Sequence, residues 1–75
     1  MTGSRRLTAI IGREGDAYVS LCPELDIASQ GATIEEARTN LIEALTLFFE
    51  TASAEETAKR LRGEVFVTQV EVPVG

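Results

Sequence analysis

Tyr18-Val-Ser-Leu-Cys-Pro-Glu-Leu-Asp-Ile-Ala-Ser-Gln-Gly-Ala-Thr-Ile-Glu-Glu-Ala37 decides how this chain folds. Val19 and Leu21 alternate with Tyr18, Ser20 and Cys22, the two-residue period of a β-strand. Pro23 has no backbone N–H to give to a ladder, so that strand ends there or lies at a sheet edge. A third, short strand is expected over 25–30, with Leu25 and Ile27 as its apolar side. Gly31 then provides a turn. Thr33-Ile34-Glu35-Glu36 is a capping box: the Thr33 hydroxyl accepts from the amide three residues on, and Glu36 reaches back toward the cap. Glu35 and Glu36 also suit the positive end of a helix dipole.

Upstream of this stretch, residues 5–11 set Leu7, Ala9 and Ile11 on one alternating face and Ile10 on the other, which predicts a first strand. Gly12-Arg13-Glu14-Gly15-Asp16 is the expected turn of a hairpin. Downstream, Ile34, Ala37, Leu41, Ala44, Leu45 and Phe48 keep the 3.6-residue period of a helix running from Ile34 to about Thr51. Ile42, Leu47 and Phe49 fall outside that stripe. They imply either a lid over the sheet edge or a contact with another chain.

Ser53-Ala54-Glu55-Glu56 is a second capping box and predicts a short helix over 54–61, with Gly63 as its C′ residue. Residues 64–72 predict a last strand, with Phe66, Val70 and Val72 on one face and Val65 and Val67 on the other; Pro73 terminates it. The order β-β-β-α-(short α)-β is that of a two-layer α+β domain, one main helix on a small, mostly antiparallel sheet. One sheet face then has no helix to cover it, which argues for an oligomer. No repeat, linker or low-complexity run divides residues 1–75, so they are read as one domain.

Size makes the same argument. A domain of 75 residues buries only about 60% of the surface its unfolded chain exposes and is marginal alone. Cys22 is the only cysteine and there is no histidine, so neither an intrachain disulfide nor a zinc site of the usual ligands is expected. Self-association is the remaining stabiliser. The net charge of −5, from 12 acidic and 7 basic residues, argues against general nucleic-acid binding and permits a basic protein partner. No apolar run reaches membrane-spanning length, no signal-peptide pattern is present, and a lone thiol fits a reducing compartment, so the expected location is cytoplasmic.

Side chains that carry chemistry elsewhere have local explanations here. Asp16, Glu24 and Asp26 flank the short strands and read as solvated turn residues rather than as an acid–base pair or a cation site. Cys22 has no histidine to activate it and reads as a small buried residue beside Pro23. Ser20, Ser29 and Ser53 have no base partner. Gly12, Gly15 and Gly31 do not form a phosphate loop. Lys59, Arg60 and Arg62 lie at the end of the short helix, where positive charge suits the dipole. No catalytic residue, cofactor or metal is expected.

Tyr18, Pro23, Leu25, Gly31, Thr33, Glu35, Glu36, Ala37, Asn40 and Ala44 together resemble the core signature of the HicB-like family, the antitoxin half of HicA–HicB toxin–antitoxin pairs. The resemblance implies a truncated RNase H-like β-β-β-α-β fold and self-association as a dimer or tetramer. It also implies a non-enzymatic role, neutralising a basic, mRNA-cleaving HicA-type toxin by protein–protein contact. Two departures bear on this. Asp26-Ile27-Ala28 stands where toxin-paired members often have a Pro-Gly-Cys-like turn, and resembles the short, stand-alone members. No helix-turn-helix or ribbon-helix-helix pattern follows Val72, so direct DNA binding by this chain is not expected. The alternative is an orphan homo-oligomeric domain with a regulatory or structural role and no toxin. In either case Phe49, Phe66 and Val70 are the candidate interface residues.

Overall fold

The computed structural model describes residues 3, 5–61, 63 and 65–75. Five elements follow in chain order: strands β1 (Ile10–Glu14), β2 (Ala17–Cys22) and β3 (Ile27–Gly31), then helices α1 (Ile34–Thr51) and α2 (Ala54–Arg60). The strands form one antiparallel sheet in the order β1-β2-β3. The fold is α+β, with α1 laid over β3 and β2.

The hairpin is tighter and later than the sequence pattern predicts. β1 begins at Ile10 rather than residue 5, and the turn contracts to Gly15 and Asp16, with Glu14 paired to Ala17. Gly15 takes φ 63°, the positive value that the first position of a two-residue hairpin turn favours. Gly12, Arg13 and Glu14 are therefore ladder residues. Residues 5–9 run on beyond the paired part of the sheet.

The register Ile11–Ser20–Ser29 sets which side chains share a face. Ser20 and Cys22 are fully buried beneath α1, so Ile11, Ile27 and Ser29 lie on that face too. The opposite face carries Ile10, Val19, Leu21 and Ala28, and no helix packs there. The core is small: Cys22, Leu25, Ala37 and Leu41, with Leu7, Ile27, Leu45, Phe48 and Leu61 packed around the cluster. Leu25 comes to it from the turn before β3, not from the strand, because β3 starts only at Ile27. Each buried leucine contributes about 1.5–3 kcal/mol.

Gly31 is the last residue of β3, and its role is space rather than a positive φ. A Cβ there would lie 2.5 Å from the Ala37 nitrogen and 2.8 Å from backbone and side-chain carbons of Glu36. The first turn of α1 therefore rests directly on the strand. Thr33 caps α1, its Oγ1 accepting from the Glu36 amide at 3.0 Å. The Glu36 carboxylate accepts from the Ala32 amide at 2.8 Å, one residue before the cap. Ser53 caps α2 in the same way, accepting from the Glu56 amide at 3.0 Å. Leu61, not Gly63, closes α2, and the Leu61 amide donates to carbonyls of Thr57 and Lys59.

Two predicted placements are corrected. Ile34 belongs to the periodic stripe yet is half exposed, because it sits in a shallow depression with Arg13 and Tyr18 at the hairpin end of the sheet. The last strand is not formed: among the described residues, 65–72 pair with no strand, and Glu64 lies outside them. An extended segment is only held by a neighbouring edge, and here it meets none. The order among the described residues is thus β-β-β-α-α. No helix among them is long and apolar enough to cross a membrane.

Candidate interaction surface

Two clamps hold the helices and turns that shape the exposed surface. The first is at Glu24, in the turn between β2 and β3. Both of its carboxylate oxygens accept from the Thr8 amide at 3.1 Å, and one also accepts from the Thr8 hydroxyl at 2.6 Å. The other oxygen accepts from the Cys22 thiol at 3.4 Å. The Thr8 hydroxyl, foremost, holds the Glu24 carboxyl below the usual carboxylate range. Burial pushes the Cys22 thiol up, and the neighbouring carboxylate adds to that.

The second clamp is Arg60, at the end of α2. Its guanidinium donates to the Leu25 carbonyl at 2.6 Å and lies 5.4 Å from the centre of the Phe48 ring. One side chain thus joins α2 to the β2–β3 turn and to α1. Asn40 adds a further tie, donating to the Gln30 carbonyl at 2.7 Å.

The residues singled out from the sequence are not gathered at one point. Asp16 occupies the hairpin turn at one end of the sheet, while Glu24 and Asp26 occupy the turn at the other. Asp26 takes φ 55°, a left-handed conformation that aspartate tolerates in turns. Among the described residues no group of three His, Cys, Asp or Glu side chains comes together to hold a metal ion. Ser20 is fully buried and its hydroxyl is spent on the Ala37 carbonyl. Lys59 and Arg60 lie in the last turn of α2 as expected, and Arg62 lies outside the described residues.

The three candidate interface residues divide into two surfaces. Phe49, 36% exposed, packs edge-on against Phe48 with ring centres 5.4 Å apart. It lines a groove of about 990 Å³ between α1 and residues 7–9, with Leu7, Ala9, Leu41, Ile42 and Leu45. Phe66 and Val70 lie instead on the C-terminal arm, residues 65–75, where they are 84% and 77% exposed. Val72 and Val74 are bare on the same arm. Burying an aromatic side chain and three valines would stabilise a complex by several kcal/mol.

The Glu24 and Arg60 clamps escape the sequence reading. Neither has a local signature: Thr8 and Glu24 are 16 residues apart, and Arg60 and Leu25 are 35 apart. The one signal in the sequence is that Arg60 lies in the last turn of a capped helix, which points to the dipole and not to a partner.

No family model, no curated protein and no solved structure matches this chain.

Proposed function

We propose that this chain is a HicB-like antitoxin module of a type II toxin–antitoxin pair. It is non-enzymatic and works by protein–protein contact with a basic, mRNA-cleaving toxin of the HicA type. The observation that supports this reading is the way the family-resembling residues interlock. Gly31 admits the first turn of α1, Thr33 and Glu36 cap it, Ala37 seats it on Ser20, and Asn40 ties it to β3. A combination of Pro turn, close-approach glycine, capping box and Asn tie at fixed spacing is more specific than any of its parts.

Charge agrees with the partner. Glu35, Glu36, Glu43 and Glu50 are exposed along α1, and the net charge is −5. A ribonuclease must present cations to its polyanionic substrate, and acidic residues facing those cations favour encounter and register. On this reading the protein works in the cytoplasm, and its sheet is of the truncated RNase H-like type once residues 65–72 take a strand position.

The test is co-expression with the product of the neighbouring gene, where that gene encodes a HicA-type toxin. The expected result is restored growth and a complex that survives co-purification. A toxin that stays lethal and purifies alone overturns the reading. A second reading, an orphan homo-oligomer with a regulatory or structural role, is favoured by the bare apolar arm, which gives the chain a contact surface that needs no toxin. The absence of any toxin gene nearby, with a stable oligomer in solution, selects it.

A further inference from the structure

The arm has a strand's alternation. Phe66, Thr68, Val70, Val72 and Val74 share one side of an extended chain, while Val65, Val67, Gln69, Glu71 and Pro73 lie on the other. The first of these sides is the more continuously apolar, the pattern of a strand that buries at least that face, yet among the described residues no strand pairs with it and its apolar side chains are exposed. The shape of the chain records the same mismatch. A compact chain of this length has a radius of gyration of about 11 Å. This one has 14.6 Å, with a longest dimension of 51 Å.

The body of the molecule offers what the arm lacks. Among the described residues β1 pairs with β2 alone, so its outer edge presents backbone groups with no strand partner there. Beside the residues leading into that edge runs the groove of Leu7, Ala9, Leu41, Ile42, Leu45 and Phe49, an apolar seat for alternate side chains of an added strand. The other edge of the sheet is less suited, because the Gln30 carbonyl of β3 already accepts from Asn40.

We infer that the arm of one copy adds as a fourth strand beside β1 of a second copy, setting Phe66, Val70, Val72 and Val74 into the groove, and that the exchange is reciprocal. Each chain carries both the strand and the seat, so two copies related by a twofold axis satisfy both and close the assembly. An arm of about ten residues is roughly 33 Å long and about 10 Å across. Two exchanged arms therefore bury on the order of 1,300 Å², within the range of specific interfaces. The inference deepens the self-association named above and does not depend on a toxin.

Mass measurement by light scattering on the full chain, with two complementary variants, tests this. Val70→Asp disables the arm and leaves the groove intact. Ile42→Glu disables the groove and leaves the arm intact. Both positions are exposed, and a retained helical circular dichroism signal shows that each variant folds; if Ile42→Glu lost that signal, Phe49→Gln would replace it. The wild type is expected at twice the 8.1 kDa chain mass. Each variant alone is expected to be monomeric, its dissociation constant raised about 100-fold or more. Mixing the two variants is expected to restore a dimer, since one intact arm then meets one intact groove. A monomeric wild type at about 100 µM, or a Val70→Asp protein that still dimerises, overturns the inference. So does a mixture that stays monomeric beside a dimeric wild type, which would mean that the wild-type contact is not arm in groove. Loss of toxin neutralisation alone leaves these masses unchanged, so the two readings fail separately.

Discussion

The Ser20 hydroxyl donates to the carbonyl oxygen of Ala37 at 2.8 Å, and both residues are fully buried. This bond spans the two layers of the fold, joining the middle strand to the first turns of α1. It explains why a polar residue lies in the core: the helix sits so close that only a small side chain fits, and its hydroxyl must find a partner. Ser20→Ala is expected to cost about 1 kcal/mol, the net worth of one such bond. Ser20→Val keeps no donor and adds volume, so it is expected to cost more, about 2–3 kcal/mol. Chemical denaturation of the two variants measures both. A Ser20→Val protein as stable as wild type would show that α1 is free to lift off the sheet.

Gly31 limits the same approach from the neighbouring strand. A methyl carbon at this position would meet backbone atoms of Ala37 and Glu36 at 2.5 and 2.8 Å, so even Gly31→Ala requires the helix to move. The expected destabilisation is about 2–3 kcal/mol, or roughly 8–20 °C in Tm for a domain of this size. Gly15→Ala makes the contrast. Open space surrounds that position, and only the positive φ opposes the methyl group, so a loss near 1 kcal/mol is expected. Thermal melts of the pair separate crowding from backbone conformation.

These two cases show what is legible in the sequence. Thr33 with Glu36 and Ser53 with Glu56 are readable because a cap is a contact between residues three apart, and both helices begin where those boxes put them. The glycine at 31 is readable as a break, but not as the place where a helix touches a strand, since that contact depends on how the layers come together. The same limit explains the last strand. Residues 65–72 show the alternation of a strand, but alternation says nothing about where the edge that completes it lies. Of the candidate interface, Phe49, Phe66 and Val70 stand out in the sequence as apolar surplus. That one lines a groove and two lie on an arm is visible only in three dimensions.

The Glu24 clamp makes stability depend on acid. Hydrogen bonds from Thr8 favour the charged carboxylate, so the folded-state pKa lies below the ordinary value of 4.5. A depressed carboxyl pKa contributes stability that is fully present above the unfolded value and is lost as pH falls through the folded one. Glu24→Gln replaces one accepting oxygen with a donor that confronts the Thr8 N–H. The variant is expected to melt a few degrees lower than wild type at about pH 7, and the gap is expected to narrow as pH falls through the lowered folded-state pKa. Melting curves across that range check the sign: a gap that widens on acidification contradicts the assignment.

Arg60 combines a bond to the Leu25 carbonyl with a cationic contact on the Phe48 ring. Arg60→Ala is expected to cost about 1–2 kcal/mol and to release α2 first, because that helix has no fully buried side chain of its own. Lysine keeps the charge but not the planar fork, so Arg60→Lys recovers at most part of the loss. Amide hydrogen exchange should show faster exchange across residues 54–61 in Arg60→Ala, with the β2 amides little changed. Equal acceleration in both would mean that Arg60 supports the whole domain rather than the docking of α2.

Cys22 is fully buried, and its thiol pKa is raised chiefly by that burial. The thiol donates to the Glu24 carboxylate, whose negative charge further opposes a thiolate. Reaction with a thiol reagent such as DTNB is therefore expected to be slow in the native protein, limited by opening of the fold, and fast in denaturant. Cys22→Ser puts a shorter, more polar side chain in the same core site and is expected to cost about 1–3 kcal/mol, whereas Cys22→Ala removes only the thiol and costs less. Glu24→Gln is expected to raise the native labelling rate by removing both the charge and part of the clamp. Rapid native labelling that Glu24→Gln leaves unchanged would place the thiol at the surface and refute this account of the core.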